Sequence, residues 1–427
     1  MAAGLDEALL ARKVAAALEL PAVQLEPLSP GSSRGAMRVL SPDGEPTAFL
    51  RIDLGIQTEV TAGKSLVREM ETVRRAHALG FPVPRVIAML TDPSVAVMEL
   101  AAGTARPDDA EAERVGPEFM GHIARLHSIP PAEFGMAAAP TLTQAIADDL
   151  DTYEADARGR GLFESDVIRL GFRVLRATMP RSDEPPAMLH GDVGAGNFMV
   201  HDGRVSAILD WELAHAGDVH EDLAWLWVRG AHTPFGDPRQ RVAEYEAAAG
   251  AALDPQRLAW HVALVTLKSV IGLHRRMHAE GEDRGLLTIE IARLAYETLL
   301  CAGLARVLGI AAPEPEEAPV SVRDAEARLT ELVGLLEPPA LRETQVLLRY
   351  LQTQAEQRAW REWRLREAAR SRLDIAPQDI AACIDAAEGD RLAGLTAVLA
   401  ADAWRRCKAS PNAERRVRRA LAIGYGQ

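Results

Sequence analysis

Residues 190–212 read HGDVGAGNFMVHDGRVSAILDWE, and the fold turns on how that stretch is folded. Asp202-Gly203, set between alternating apolar positions, is a two-residue hairpin signal. Folding about it pairs His201 with Arg204 and Val200 with Val205, and the same register sets Asn197 opposite Ile208. Asp210 then lies two residues past Asn197's partner and on the same face of the ribbon. An amide oxygen and a carboxylate thus converge at the open end of one hairpin, and oxygen donors of this kind suit Mg²⁺ better than zinc. Asp192 precedes Asn197 on a loop whose Gly194 and Gly196 let the backbone turn sharply and carry the carboxylate towards the same place. A carboxylate beside a metal-bound phosphate can orient an attacking hydroxyl and accept its proton. A plain Asp/Asn-rich surface loop would explain each of these residues singly, but not their shared face.

The chain on either side changes character. Residues 22–100 show short β-type runs broken at Pro30-Gly31, at Ser41-Pro42-Asp43-Gly44 and at Asp92-Pro93. One segment there has helical spacing, Thr61 to Leu79, stopped by Gly80 with Pro82 and Pro84 beyond. From about Pro107 the pattern is helical, with helices expected over 112–128, 142–158, 165–178, 220–229, 238–248, 255–279 and 286–307; the β-type island 187–211 interrupts them. Residues 313–319 read as a Pro/Glu-rich linker, and residues 320–427 as a helical domain without a chemical motif. The expected organisation is a strand-rich lobe over 1–102, a mostly helical lobe over 103–312, the linker, and the added helical domain.

The island resembles the catalytic core of the aminoglycoside phosphotransferase-like kinases, which share the protein-kinase fold. Their pattern, H-G-D-x4-N, a hairpin, D-W/x-E, then G-D-x3-D-L-A, is met by His190-Gly191-Asp192, Asn197, Asp210-Trp211-Glu212, and Gly217-Asp218 with Asp222-Leu223-Ala224. The resemblance spans about residues 25 to 305 and implies an α+β, bilobal protein-kinase-like fold. It implies that Asp192 is the catalytic base and that Asn197 and Asp210 bind magnesium. His190, Glu212, Asp218 and Asp222 would support the loop. ATP or GTP, with Mg²⁺, would be the cofactors.

The same resemblance assigns the nucleotide side to the first lobe. Gly31, Ser32 and Ser33 stand where the family has its Gly/Ser-rich nucleotide loop, although a simple hairpin turn explains them equally well. Arg51 takes the strand position where protein kinases carry a lysine, since Lys13, Lys64, Lys268 and Lys408 all lie outside strand-like runs. Arginine at this place is similar to a branch of the family associated with acyl-CoA dehydrogenase-type proteins, and its fork can grip phosphate bidentately. The partner of Arg51 is expected on the next helix. Glu69 shares a face with Leu66, Met70 and Val73, whereas Glu71 falls on a mixed, wetter face, so Glu69 is the expected partner. Glu99 and Leu100, ending a strand-like run, resemble the connector whose backbone meets the base.

Composition narrows the partners. The 427 residues are 48% hydrophobic and 26% charged, as in ordinary globular chains, with a net charge of −13. All of that charge falls before residue 313, where 30 basic residues face 43 acidic ones. An acidic body repels phosphate backbones, which disfavours nucleic acid. Cys301, Cys383 and Cys407 have no metal-type spacing and no even count, so a reducing cytoplasm is expected. Asp6, Glu7, Arg12 and Lys13 break any N-terminal apolar stretch, and no apolar run is long enough for a membrane span.

Gly191 replaces the arginine that protein kinases place in this motif, and no A-P-E-like segment follows Asp222. A small hydroxyl compound is therefore the expected acceptor: aminoglycoside-like, amino-alcohol, sugar or hydroxyacyl. The region Trp225 to Phe235 offers Trp227, His232 and Phe235 either to an acceptor pocket or to the core. Residues 320–427 offer a surface for self-association or a protein partner. Two other functions compete. One is a catalytically silent nucleotide sensor signalling through the C-terminal helices; the other is a metallohydrolase built on His215, His220, Asp218 and Asp222, or on His274 and His278.

Overall fold

The computed structural model describes residues 6–28, 34–53, 65–233, 235–278, 286–310, 380–408 and 410–425. Five strands form the first sheet: β1 (Gln24–Pro27), β2 (Arg34–Leu40), β3 (Pro46–Asp53), β4 (Val86–Thr91) and β5 (Ser94–Glu99). Their order is β1-β2-β3-β5-β4, with every neighbouring pair antiparallel. Strand alternation sorts β3 cleanly: Ala48, Leu50 and Ile52 are buried, while Phe49, Arg51 and Asp53 are half-buried on the other face. The buried face joins Met37, Val39, Val95 and Val97 beneath Leu10 and Val14 of helix α1 (Glu7–Ala17).

The opposite face carries Arg51 towards helix α2 (Leu66–Ala78). Ser65 caps that helix by accepting from the Arg68 amide at 3.2 Å. Leu66, Glu69, Met70 and Val73 are all buried, so the apolar stripe that docks α2 takes Glu69 inward with it.

After β5 the chain crosses to the second group of strands through a narrow contact. Thr104 and Val200 exchange amide–carbonyl hydrogen bonds of 2.9 and 2.8 Å. Gly103, at φ +104°, makes this approach feasible, because a β-carbon there would stand 2.0 Å from the Val200 carbonyl oxygen. Strands β6 (Ala187–Leu189) and β9 (His215–Gly217) pair with each other, and β7 (Phe198–His201) pairs with β8 (Arg204–Ile208).

Helices α3 (Asp109–His127), α4 (Leu142–Gly159, all but its last three residues), α6 (Val219–Gly230) and α7 (Pro238–Ala249) belong to the same compact unit, which comprises residues 1–156 and 181–253. Asp108 opens α3 with a capping box on Glu111. Glu118 on α3 takes a bidentate hydrogen bond from Arg204 at 2.9–3.0 Å, which ties down β8. The rings of Phe119, Phe198 and Phe235 cluster in the core, where Phe235 lies 4.9–5.5 Å from the other two, and Trp227 is buried as well, so Phe235 and Trp227 pack the interior.

The second compact unit holds residues 157–180 and 254–427. It contains α5 (Asp166–Ala177), α8 (Pro255–His278), α9 (Leu286–Val307) and the helices Ile380–Ala386, Gly389–Lys408 and Pro411–Ala422. Arg173 donates to the Ala387 carbonyl at 2.8–2.9 Å, and Thr298 to that of Ala403 at 2.9 Å, which bind the last helices to α5 and α9. Glu297, buried on α9, gathers Arg293, Arg406 and His274. Burial alone would raise its pKa, but these neighbours hold it well below the ordinary carboxylate range. The linker 313–319 and residues 320–379 lie outside the described residues. No described helix is long and apolar enough to cross a membrane.

Candidate active site

Asp202 and Gly203 both take positive φ, 51° and 71°, as a type I′ hairpin turn requires. The register beyond the turn corrects the simple extrapolation. Val200 pairs with Val205 but Met199 with Ala207, because Ser206 bulges out and its hydroxyl donates to the Ala102 carbonyl at 2.7 Å. Phe198 therefore faces Ile208, and Asn197 faces Leu209, whose amide donates to the Asn197 carbonyl at 2.8 Å. Asp210 is one residue past Asn197's partner, not two, so strand alternation does not put Asn197 and Asp210 on one face of the ribbon as expected. A left-handed backbone at Asp210, φ 65°, then turns the chain into the short 3-10 helix Trp211–Leu213.

Asp192 is gripped from two sides. Asn197 Nδ2 donates to its Oδ2 at 2.6 Å and to its carbonyl at 2.9 Å, which turns the Asn197 amide oxygen the other way as an acceptor. Arg229 Nη1 donates to both carboxylate oxygens at 2.6 Å. Sequence reading missed Arg229. An arginine near a helix end reads as an ordinary match to the helix dipole, and nothing in a 37-residue separation ties it to Asp192.

The loop itself hangs on buried groups. His190 is 1% exposed; its Nε2 donates to the Leu209 carbonyl at 2.8 Å and its Nδ1 accepts from the Asp192 amide at 3.3 Å. Its ring packs against Trp211, centroids 5.0 Å apart. Asp222 accepts from the amides of His190 and Gly191 at 2.8 and 2.7 Å, and from His127 Nε2 at 3.0 Å. Burial pushes Asp222 up, but the His127 hydrogen bond, the electrostatic attraction of the neighbouring His127 and His190 rings and the His190 amide outweigh it and lower its pKa. Asp218 caps α6 and accepts from the His220 ring at 2.6 Å.

Arg51 joins the sheet to this loop. Its Nε lies 2.7 Å from Glu69 Oε1, and its Nη2 lies 2.5 Å from Asp210 Oδ1 and 3.3 Å from Glu212 Oε2. Glu71, two residues further along the same helix, is an exposed ion-pair partner of Arg75. Burial alone would lower the Arg51 pKa, but Asp210, Glu69 and Glu212 together raise it. Glu99 is exposed, as is Leu100 at 37%, and both end the strand on the connector side. Gly31, Ser32 and Ser33 lie outside the described residues, in the connection between antiparallel β1 and β2.

The donors available for a cation are the Asp210 carboxylate, the Glu212 carboxylate and the outward oxygen of Asn197. These are hard oxygen ligands of the kind that suits Mg²⁺, but Arg51 already pairs with both carboxylates, so a cation there would have to share or displace that contact. The histidines of the metallohydrolase alternative attach to separate carboxylates: His215 to Glu221, His220 to Asp218 and His274 to Glu297. The His278 side chain lies outside the described residues.

A protein-family model described as phosphotransferase enzyme family matches residues 24–261. Acyl-CoA dehydrogenase family member 11 of Gallus gallus is 26% identical over 172 residues, covering 37% of this chain and 22% of that protein. Its Homo sapiens counterpart is 25% identical over 181 residues, covering 38% and 23%. The chain thus spans less than a quarter of the length of these curated relatives. A crystal structure of a Ralstonia eutropha protein described as an aminoglycoside phosphotransferase matches with TM-score 0.50 and 18% identity, covering 67% of this chain and 92% of that one. A thermostable mutant of aminoglycoside phosphotransferase APH(4)-Ia matches with TM-score 0.50 and 15% identity, covering 69% and 98%. At these identities the likeness speaks to the fold, which is α+β and protein-kinase-like.

Proposed function

The chain belongs to the phosphotransferase enzyme family, and from that premise we propose that it moves the γ-phosphoryl group of ATP or GTP, with Mg²⁺, to a hydroxyl of a small molecule. One observation carries the reading: the Asp192 carboxylate is held by Asn197 on one side while Asp210 and Glu212 are gathered by Arg51 on the other. A structure of the APH(4)-Ia mutant in complex with AMP-PNP and hygromycin B shares the fold at TM-score 0.50 and supports nucleotide use.

In this reading Asp192 orients the acceptor hydroxyl and takes its proton as the new oxygen–phosphorus bond forms and the bond to the leaving nucleoside diphosphate breaks. Asn197 and Asp210 would hold the metal, which when bound would supply positive charge to offset that of the nucleotide phosphates. Arg51, oriented by Glu69, would meet the α- and β-phosphates. The backbone of Gly31, Ser32 and Ser33 would cradle phosphate, and that of Glu99 and Leu100 would meet the base. His190, Glu212, Asp218 and Asp222 keep the loop in place. The relatives named for acyl-CoA dehydrogenase make a hydroxyacyl compound the first acceptor to try, ahead of sugars, amino alcohols and aminoglycosides. A cytoplasmic setting and a partner surface within 320–427 belong to the same proposal.

The test is transfer of label from γ-labelled nucleotide with Mg²⁺ to pooled hydroxylated metabolites, hydroxyacyl compounds and aminoglycosides. A labelled product that disappears with Asp192→Ala supports the reading. Failure to bind nucleotide and to label any pool sinks it. Arg51's engagement with three carboxylates favours one alternative, a nucleotide-binding sensor that does not transfer. Binding without transfer to any acceptor would distinguish it.

A further inference from the structure

Arg229, one residue before the end of α6, reaches back across the loop of Asp192. Besides its two contacts with the carboxylate, its Nη2 donates to the Ala195 carbonyl at 2.7 Å. The loop is shaped to receive it. A β-carbon at Gly194, φ +149°, would stand 2.9 Å from Arg229 Cδ and 3.1 Å from Nε; one at Gly196, φ +96°, would stand 3.0 Å from Nη2. Between Asp192 and Asn197 the loop has no basic side chain of its own. Any fixed cation beside the proposed base must therefore come from elsewhere in the chain.

The charge around the site makes that cation matter. Asp192, Asp210, Glu212 and Glu69 are four carboxylates, whereas Arg51 contacts only the last three. Without Arg229, Asp192 would face nucleotide phosphates with only the neutral Asn197 amide in hand. Both partners are largely shielded from water, at 14% and 18% exposure, where a charged hydrogen bond acts more strongly than at the surface.

We propose that Arg229 is a positioning residue for phosphoryl transfer: it sets the orientation of the Asp192 carboxylate and offsets its repulsion of the incoming phosphates, and Gly194 and Gly196 are small so that it can lie there. The inference rests on the phosphotransferase reading above. Since misplacing a reacting group by about 1 Å can cost about 10²-fold, loss of Arg229 should act on turnover and leave nucleotide affinity largely in place.

The probe is Mg²⁺·ATP with water as acceptor, followed as release of labelled phosphate by the purified full chain. Arg229→Met is expected to lower kcat by about 10²-fold with KM for ATP within about threefold, and Arg229→Lys to recover part of the loss. Gly194→Ala keeps the guanidinium but displaces it, and is expected to lower kcat in the same way. Guanidinium ion at non-denaturing concentration is expected to raise the turnover of Arg229→Ala and not that of the unaltered chain. Unaltered kcat in both Arg229→Met and Gly194→Ala overturns the proposal. So does loss of kcat in Arg229→Ala that tracks loss of folded protein and ignores guanidinium. An unaltered chain that binds no Mg²⁺·ATP instead overturns the phosphotransferase reading itself, while one that binds but never releases phosphate supports the silent sensor and overturns this role for Arg229.

Discussion

Arg51 Nη2 lies 2.5 Å from Asp210 Oδ1, so the cation of the sheet and a carboxylate proposed to hold magnesium are paired directly with each other. A divalent ion and Arg51 therefore compete for one acceptor. Arg51→Met should tighten Mg²⁺ binding to the nucleotide-free protein while weakening ATP binding. Each change is expected to be about tenfold, the scale of one charge-assisted hydrogen bond of ~1.5 kcal/mol. Calorimetric titration of the metal and the nucleotide checks it; movement of both affinities in the same direction would refute the competition.

Asp192→Asn keeps the shape of the side chain and removes its capacity to accept a proton. Turnover should fall about 10²–10⁴-fold with nucleotide affinity little altered. Single-turnover transfer to any acceptor found in the screen measures this, and an unchanged rate takes Asp192 out of the role of base.

Asp222 makes a prediction about pH. Its folded pKa is lowered, so the unfolded chain binds its proton more tightly. The stability it contributes is complete above the ordinary carboxylate value of about 4 and is lost as the pH falls through the lowered folded value. Urea midpoints should drop on acidification below about pH 4. Asp222→Asn should be less stable by roughly 3–5 kcal/mol at neutral pH, with a weaker acid dependence. Equal acid sensitivity in the two proteins would count against this account.

Gly191 sits at φ +85°, and a β-carbon there would stand 2.3 Å from the Leu213 carbonyl oxygen. Gly191→Ala must strain the backbone and move the Trp211–Leu213 turn, at a cost of about 2 kcal/mol or more. Thermal unfolding reads the loss directly, and a melting temperature equal to that of the unaltered protein would contradict the geometry.

Much of this architecture was legible before any coordinates. Helical periodicity placed 286–307 without error and 142–158 within one residue. Face-sorting on α2 separated buried Glu69 from exposed Glu71, because a buried charge must travel with the apolar stripe that docks its helix. Asp202-Gly203 marked the hairpin because few residue pairs accept two successive positive φ values. The bulge at Ser206 was not legible. It arises from a hydroxyl reaching Ala102, more than a hundred residues earlier, and no local pattern encodes such a contact. Arg229 was hidden for the same reason, since its significance lies in a loop 37 residues away.

The exchange of hydrogen bonds between Thr104 and Val200 clips the segment leaving the sheet to the strand that follows Asn197. Any hinge that separates the sheet from the hairpin must then bend before Ala102, whose carbonyl Ser206 also holds, while the hairpin and the clipped segment move together. Amide exchange at these two positions should accordingly stay slow even when the strands before them breathe.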